Sequence, residues 1–270
     1  PINFRLVAAE VEYILSDSGA KVLIVDEPLS SLAAQLPPTR VETVVVVGGD
    51  AAAVSATALE YESIFDPDDS PLDIVVADQD PAFIMYTSGT TGRPKGAVLS
   101  HMNLAMNSAN SLIEHRIGTD GEVWYSGLPL FHIGGLNGIL IYLMAGGRSI
   151  IAPSGNFDPV ETVDTLEREQ VTSCYFVPTQ WKELCAVPGI ADRKLKLRRM
   201  AWGASVAPPS VLQAMAETFP DIPTLNVFGQ TEMSSATCIL RGEDAIAKMG
   251  SVGTPVVNVE VRIVDENGED

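Results

Sequence analysis

An α/β fold is predicted by two features of this 270-residue sequence. Short apolar strand-like runs alternate with helically spaced segments over most of its length. The composition, 46% hydrophobic and 19% charged, is ordinary for a globular chain and allows a substantial core. The alternation implies parallel sheets covered by helices on both faces.

Val7, Val11, Ile14 and Leu15 fall at helical spacing, Gly19 supplies a stop, and KVLIVD at 21–26 reads as a buried strand. TVVVVG at 43–48 is the next strand. Residues 48–80, rich in Ala, Asp, Pro and Ser and carrying DPDDSP, read as a solvated loop. AFIMYT at 82–87 is a strand, and Ser100 is placed to cap a helix running to about Leu112. VWYSGL at 123–128, an apolar helix near 135–145 and RSIIA at 148–152 continue the alternation. A helix at about 158–170, the strand CYFVP, a helix through Trp181 and Leu184, the strand RRMAWG, a helix near 208–219 and the strand TLNVF complete it. Val257, Val259, Val261 and Ile263 then alternate with polar neighbours. That period-two pattern suits a half-buried antiparallel strand, the start of a second sub-architecture.

The formal charge is −18, from 35 acidic against 17 basic residues. Such a field repels phosphate backbones and anionic membranes and disfavours nucleic-acid partners. A small anion such as ATP therefore needs a local trap of backbone N–H groups, a lysine or a metal ion. Cys174, Cys185 and Cys238 form no CxxC pair and leave one thiol over, which points away from a disulfide framework or a zinc site and towards reduced thiols in the cytoplasm. The most apolar stretch, 133–152, is interrupted by five glycines and Arg148, and reads as helix, turn and strand, with no transmembrane segment. No leader opens the chain, which starts without an initiator methionine and stops on VDENGED; both ends read as those of a fragment.

The local trap is YTSGTTGRPKG at 86–96. Gly89, Gly92 and Gly96 let the backbone turn N–H groups inward, Thr87, Ser88, Thr90 and Thr91 add hydroxyls, and Lys95 adds positive charge. A Walker loop needs Gly-Lys followed by Ser or Thr, whereas Pro94 precedes Lys95 here and Gly96 follows it. A plain Ser/Thr/Gly hairpin is the bland alternative. FGQTE at 228–232 offers an aromatic face (Phe228), a close-approach glycine (Gly229), a hydroxyl (Thr231) and a hard oxygen ligand (Glu232); alone, it would be a turn after a strand. Gly203, Ala204 and Ser205, alone, are as well read as a strand-to-helix turn, Trp202 as core, and His132 as a structural hydrogen-bonder.

Taken in order, the glycine-rich loop, LPLFHIGG at 128–135, WGAS at 202–205, FGQTE at 228–232 and GSVGTP at 250–255 closely resemble the adenylate-forming superfamily of acyl-CoA synthetases, luciferases and peptide-synthetase adenylation domains. With PINFRL and ILSDSGAKVLI near the start, the resemblance spans essentially the whole chain. It implies two stacked mixed β-sheets flanked by helices, with a nucleotide- and acyl-binding core over 1–240 and the start of a small β-barrel over 241–270. It also implies a ribose-binding aspartate and a C-terminal domain with a catalytic lysine, neither of which this sequence contains.

The implied reaction is ATP- and Mg²⁺-dependent activation of a carboxylic acid to an acyl-adenylate, followed by thioester formation with CoA. Carried over residue by residue, Thr87, Ser88, Gly89, Thr90, Thr91, Gly92 and Lys95 would hold the β- and γ-phosphates. Thr231 would contact the α-phosphate, and Glu232, with Thr87, would bind Mg²⁺. Gly203, Ala204, Ser205, Gly229 and Gln230 would line the adenine pocket with Phe228, which stands where tyrosine is usual. His132, Trp181 and Trp202 would wall the acyl pocket, Trp202 replacing a commonly small residue. With Lys95 and Thr231, His132 would complete the catalytic set, and PLFHIGG favours a fatty or aryl acid over an amino acid. His101 matches a position with no chemical role. Adenylation for a carrier protein, or a non-catalytic nucleotide-binding homologue, would share this core. The chain alone is expected to be inactive and to self-associate through the edge of its C-terminal strand.

Overall fold

The computed structural model describes residues 1–89, 92–152, 155–245 and 247–270, without the Glu243 side chain. The chain folds into two compact units, Pro1–Val98 and Leu99–Asp270, so the division expected after residue 240 falls inside the second unit.

In the first unit, helix α1 (Ala8–Ser18) buries Val11, Ile14 and Leu15 and ends at Gly19 in a left-handed conformation (φ 66°), as the spacing and the glycine predict. Strand β1 (Val22–Asp26) is followed by the short helix α2 (Ser30–Ala33), then by β2 (Thr43–Val47) and β3 (Leu59–Glu60), and the three strands pair in parallel. Val25, Val46 and Ala51 form their buried cluster, with Leu29 and Ala33 packed against it. KVLIVD is nevertheless not buried on both faces, because Val22 and Ile24 are 53% and 58% exposed. Successive strand residues point to opposite sides, and the packing covers Val25's side alone. Of the solvated loop expected over 48–80, residues 65–80 carry neither helix nor strand and are exposed, whereas residues 51–64 hold two 3₁₀ turns, the paired strand β3 and the buried Ala51, which packs on the β1–β2 cluster. Strands β4 (Pro81–Thr87) and β5 (Lys95–Ser100) form a two-stranded sheet; β5 went unread in the sequence.

In the second unit, Ser100 caps α3 (His101–Glu114) through a reciprocal pair of bonds: its hydroxyl accepts the Asn103 N–H, and the Asn103 carboxamide oxygen accepts the Ser100 N–H, each at 3.1 Å. There follow β6 (Val123–Ser126), α4 (Ile133–Met144), β7 (Arg148–Ile150), α5 (Pro159–Arg168), β8 (Ser173–Phe176), α6 (Pro178–Cys185) and β9 (Arg199–Gly203). Then come α7 (Pro209–Thr218), β10 (Thr224–Gln230), β11 (Ser235–Arg241), α8 (Gly242–Ala245) and β12 (Thr254–Pro255). The strands build one mixed sheet in the order β12-β11-β10-β9-β8-β6-β7, parallel from β7 to β10 and antiparallel beyond.

Alternation along β6 sends Tyr125 into the large core with Phe176, Trp181 and Met200. Trp124 points to the other side, where it stacks on Tyr142 of α4 with ring centroids 4.8 Å apart. This sheet is thus covered on both faces, as the sequence pattern implies. The described residues hold three sheets where the resemblance implied two.

The alternating segment 257–264 forms no strand: Val257, Val261, Ile263 and Val264 are 45–87% exposed. Alternation fixes only which way side chains point, and a strand also needs an edge to pair with. The place beside β11 is taken by β12, which ends at Pro255, a residue without an N–H, and Asn258 (φ 66°) then turns the backbone out of the extended region.

Candidate functional site

Two sets of residues singled out by the sequence lie in different units. In the first unit, residues 88–94 join β4 to β5. Gly89 sits at φ 57°, and a Cβ there would stand 2.5 Å from the Arg93 carbonyl oxygen, so the turn admits no side chain. Thr87 closes β4, Ser88 is exposed, Gly92 has φ 87°, and Lys95 opens β5 with its side chain exposed. Thr90 and Thr91 lie outside the described residues.

Helix α1 ties down both ends of this loop, a role not legible in the motif itself. The Tyr86 hydroxyl donates to Asp17 Oδ2 at 2.7 Å, and the Tyr13 hydroxyl donates to the Pro94 carbonyl at 3.2 Å. The Arg93 guanidinium lies 5.8 Å from the centre of the Tyr13 ring. Burial, and then the Asp17 carboxylate, push the Tyr86 hydroxyl well above its ordinary range, so it remains a proton donor at neutral pH.

In the second unit, β8, β9 and β10 run parallel and end on one edge, where α/β sheets offer ligand crevices. A cleft of about 300 Å³ opens there, within the size range of small-molecule sites. Trp202, Ala204 and Phe228 line it from the strand ends, and residues 249–252 add a further wall. Phe228 keeps 45% of its surface exposed, leaving a ring face for a planar ligand. Gly203 ends β9, and Ala204 takes a left-handed conformation (φ 64°) that costs a non-glycine residue about 1–3 kcal/mol. Ser205 is exposed beside it.

FGQ is not a turn: β10 continues through Gln230, with a bulge between Phe228 and Gly229. The bulge lets the backbone of Gly229 approach the Ser235 carbonyl so closely that no Cβ fits. The turn begins at Thr231, in a single 3₁₀ turn, Thr231–Met233, that carries Glu232 on the surface. Ser234 (φ 59°) and Ser235 (φ 111°) then reverse the chain into β11. Among the described residues no group of three His, Cys, Asp or Glu side chains is placed to hold a metal. A single exposed carboxylate such as Glu232 suits magnesium, which takes few carboxylates and completes its shell with phosphate and water.

His132 directly precedes α4; it is exposed, and its carbonyl accepts the Gly135 and Leu136 N–H groups. Trp181 is placed differently from the acyl-wall expectation. It is 0% exposed, its indole N–H donates to the Ala201 carbonyl at 3.0 Å, and its ring meets Phe176 edge-on at 5.2 Å. A side chain with no free surface offers nothing to a substrate, so Trp181 supports β9 from the core. Trp202 is also buried, yet it lines the cleft.

The family model described as AMP-binding enzyme matches residues 1–270. Indoleacetate–CoA ligase of Aromatoleum aromaticum is 33% identical over 275 residues, covering 100% of this chain and 52% of that protein. Feruloyl-CoA synthase of an Amycolatopsis species is 32% identical over 271 residues, covering 100% of this chain and 51% of that protein. The chain thus spans about half the length of these curated relatives. Among solved structures, the inhibitor-bound N-terminal domain of FACL13 from Mycobacterium tuberculosis superposes with a TM-score of 0.83 at 28% identity, over 99% of this chain and 65% of that one.

Proposed function

The chain belongs to the AMP-binding enzyme family, and from that premise we propose that it is the nucleotide-binding part of an acid–CoA ligase that activates an aryl or fatty acid with ATP and magnesium. The observation that carries this reading is the cleft at the ends of β9 and β10, with the half-exposed face of Phe228 and the strained Ala204 beside it. Phe228, Gly229, Gln230 and the 203–205 backbone take the adenine. Thr87, Ser88, Gly89, Gly92 and Lys95 take the β- and γ-phosphates, and Thr90 and Thr91 join them by resemblance.

In this reading the acid's carboxylate oxygen attacks the α-phosphorus and the bond to the pyrophosphate oxygen breaks. Thr231 donates to the α-phosphate, and Lys95 neutralises the departing pyrophosphate; positioning and charge stabilisation are the main demands of such a displacement. Glu232 and, by resemblance, Thr87 would hold magnesium, which would supply further charge neutralisation. His132 lies on the acid's side and Trp202 limits the acyl pocket. The sulfur of CoA then attacks the acyl carbon, the thiol proton is lost, and the bond to the phosphate oxygen breaks to release AMP. Aryl substrates are favoured by the names of the two curated relatives. A cytoplasmic site of action is supported by the three free thiols, Cys174, Cys185 and Cys238; no helix among the described residues is long and apolar enough to cross a membrane.

Calorimetry with ATP and AMP, paired with a pyrophosphate-release assay over aryl and fatty acids, tests this reading. The 270-residue chain is expected to bind ATP in a magnesium-dependent way, and pyrophosphate release above background with an aryl or a fatty acid would identify the class of acid it accepts. A folded chain that binds no ATP would overturn the nucleotide assignment.

A second arm isolates the loop. Charge-assisted bonds to phosphate are worth about 1.5–3 kcal/mol, so Lys95→Ala is expected to weaken ATP binding about tenfold or more while leaving AMP binding nearly unchanged. Equal losses for the two nucleotides would remove Lys95 from the β,γ-phosphate site.

A further inference from the structure

We propose that Asn107 is a positioning residue that sets where Thr231 and Glu232 lie, and that Asn137 holds Asn107 in place; the inference rests on the reading of Glu232 as the magnesium ligand. Asn107 sits inside α3, 5% exposed, where an asparagine is neither a good helix former nor inexpensive to bury. Its amide uses its full bonding capacity. Nδ2 donates to the Met233 carbonyl at 3.1 Å and to the Ala236 carbonyl at 2.8 Å. Oδ1 accepts the Ala236 N–H at 3.3 Å and Asn137 Nδ2 at 3.1 Å. The Ser108 hydroxyl in turn donates to Asn137 Oδ1 at 3.3 Å.

Three of these bonds bracket the reversal at Ser234 and Ser235, whose left-handed backbones (φ 59° and 111°) persist only where surrounding contacts over-determine them. The anchored Met233 carbonyl belongs to the residue directly after Glu232, in the same 3₁₀ turn as Thr231. Asn137 lies on α4, the helix that His132 precedes, so one amide pair ties the acid-side histidine's helix to the segment of the α-phosphate threonine. Only a carboxamide offers two donors and a double acceptor in one plane. A leucine or a carboxylate of the same size leaves the two carbonyls unpaired in a water-poor site.

The test uses the intact protein with Asn107→Asp, which keeps the shape and turns both donors into an acceptor. Hydrogen exchange at residues 231–236 is expected to accelerate by about tenfold or more, with the rest of the second unit unchanged, and the magnesium concentration for half-maximal ATP binding to rise about tenfold. AMP binding without magnesium is expected to stay within about twofold of the starting protein. Lowering the pH should partly restore the magnesium response, because the introduced carboxyl regains one donor when it takes up a proton. Should Asn107→Asp fail to fold, Asn137→Ser removes the support of Asn107 alone and is read by the same two quantities.

Glu232→Gln separates the outcomes. If it shifts the magnesium dependence while folded Asn107→Asp or Asn137→Ser leaves both readouts unchanged, the positioning role is overturned and the ligand assignment stands. If Glu232→Gln leaves the magnesium dependence unchanged, the ligand assignment falls and the positioning inference falls with it.

Discussion

Replacing Trp181 with alanine is expected to destabilise the protein by about 3–5 kcal/mol, the cost of emptying a fully buried aromatic site that surroundings only partly refill. The ring has no exposed surface, meets Phe176 and Phe219 edge-on, and spends its N–H on the Ala201 carbonyl. Against a usual total of about 5–15 kcal/mol, that loss leaves little margin. Trp181→Phe keeps most of the ring but gives up the N–H, and should cost about 1–3 kcal/mol. Urea midpoints for the two variants measure both values. Ala201 lies two residues before Gly203, so folded Trp181→Phe protein also reports how far the cleft depends on β9 being held from below. Near-normal stability of Trp181→Ala would return the side chain to the substrate-facing wall.

Acidification from pH 7 to pH 5 is expected to cost about 2 kcal/mol through His115. Nε2 of His115 is sealed from solvent with no hydrogen-bond partner. Burial first, and the charge of Arg199 second, bring its pKa down from 6.5 to about 4. The unfolded chain takes the proton near 6.5 while the folded chain refuses it until about 4. The stability tied to this ring is therefore complete above 6.5 and drains away as the pH falls towards 4.

Glu122 acts in the same direction at lower pH. Burial opposes its charge, but hydrogen bonds from Arg199 and Thr172 and the charges of Arg199 and Arg198 outweigh burial and hold the carboxyl below its usual range. Arg199 grips it with both terminal nitrogens, at 2.7 and 3.1 Å. Its contribution is present above the unfolded carboxylate range and is lost as the pH drops through the folded value. Urea unfolding across this range should steepen between pH 7 and 5 for the starting protein and flatten for His115→Gln; identical slopes would exclude His115 as the cause.

The parts of this molecule written in contiguous residues were legible in its sequence. Ser100 as a cap, Gly19 as a stop and the βα alternation from residue 100 to 230 each depend on neighbours within a turn or two, and the glycine-rich loop and FGQTE are runs of chemically matched residues. What escaped depends on distant partners. KVLIVD looks two-sided until one sees that Val22 and Ile24 lack cover. The segment 257–264 has the alternation of a strand but no edge to pair with. Trp181 had the right type for a pocket wall, yet a helical pattern does not reveal whether a ring is capped by a second layer. Asn107 reads as an ordinary polar position on a helix, and its partners lie 126 and 129 residues further on.

The margins of the seven-stranded sheet bear on how the protein behaves when crowded. At one margin, β12 is two residues long, ends in a proline and is followed by the turn at Asn258. At the other, β7 has three residues, and Arg148 at its start is ion-paired to Glu169 at 2.9 Å. Brevity, a proline and an edge charge are each poor templates for a foreign strand. Fibril-like growth by backbone pairing is thus disfavoured at both ends of this sheet, and clumping of this unit at high concentration falls to side-chain stickiness, which added salt, urea or a single Val→Lys change alters far more readily than it alters a hydrogen-bonded ladder.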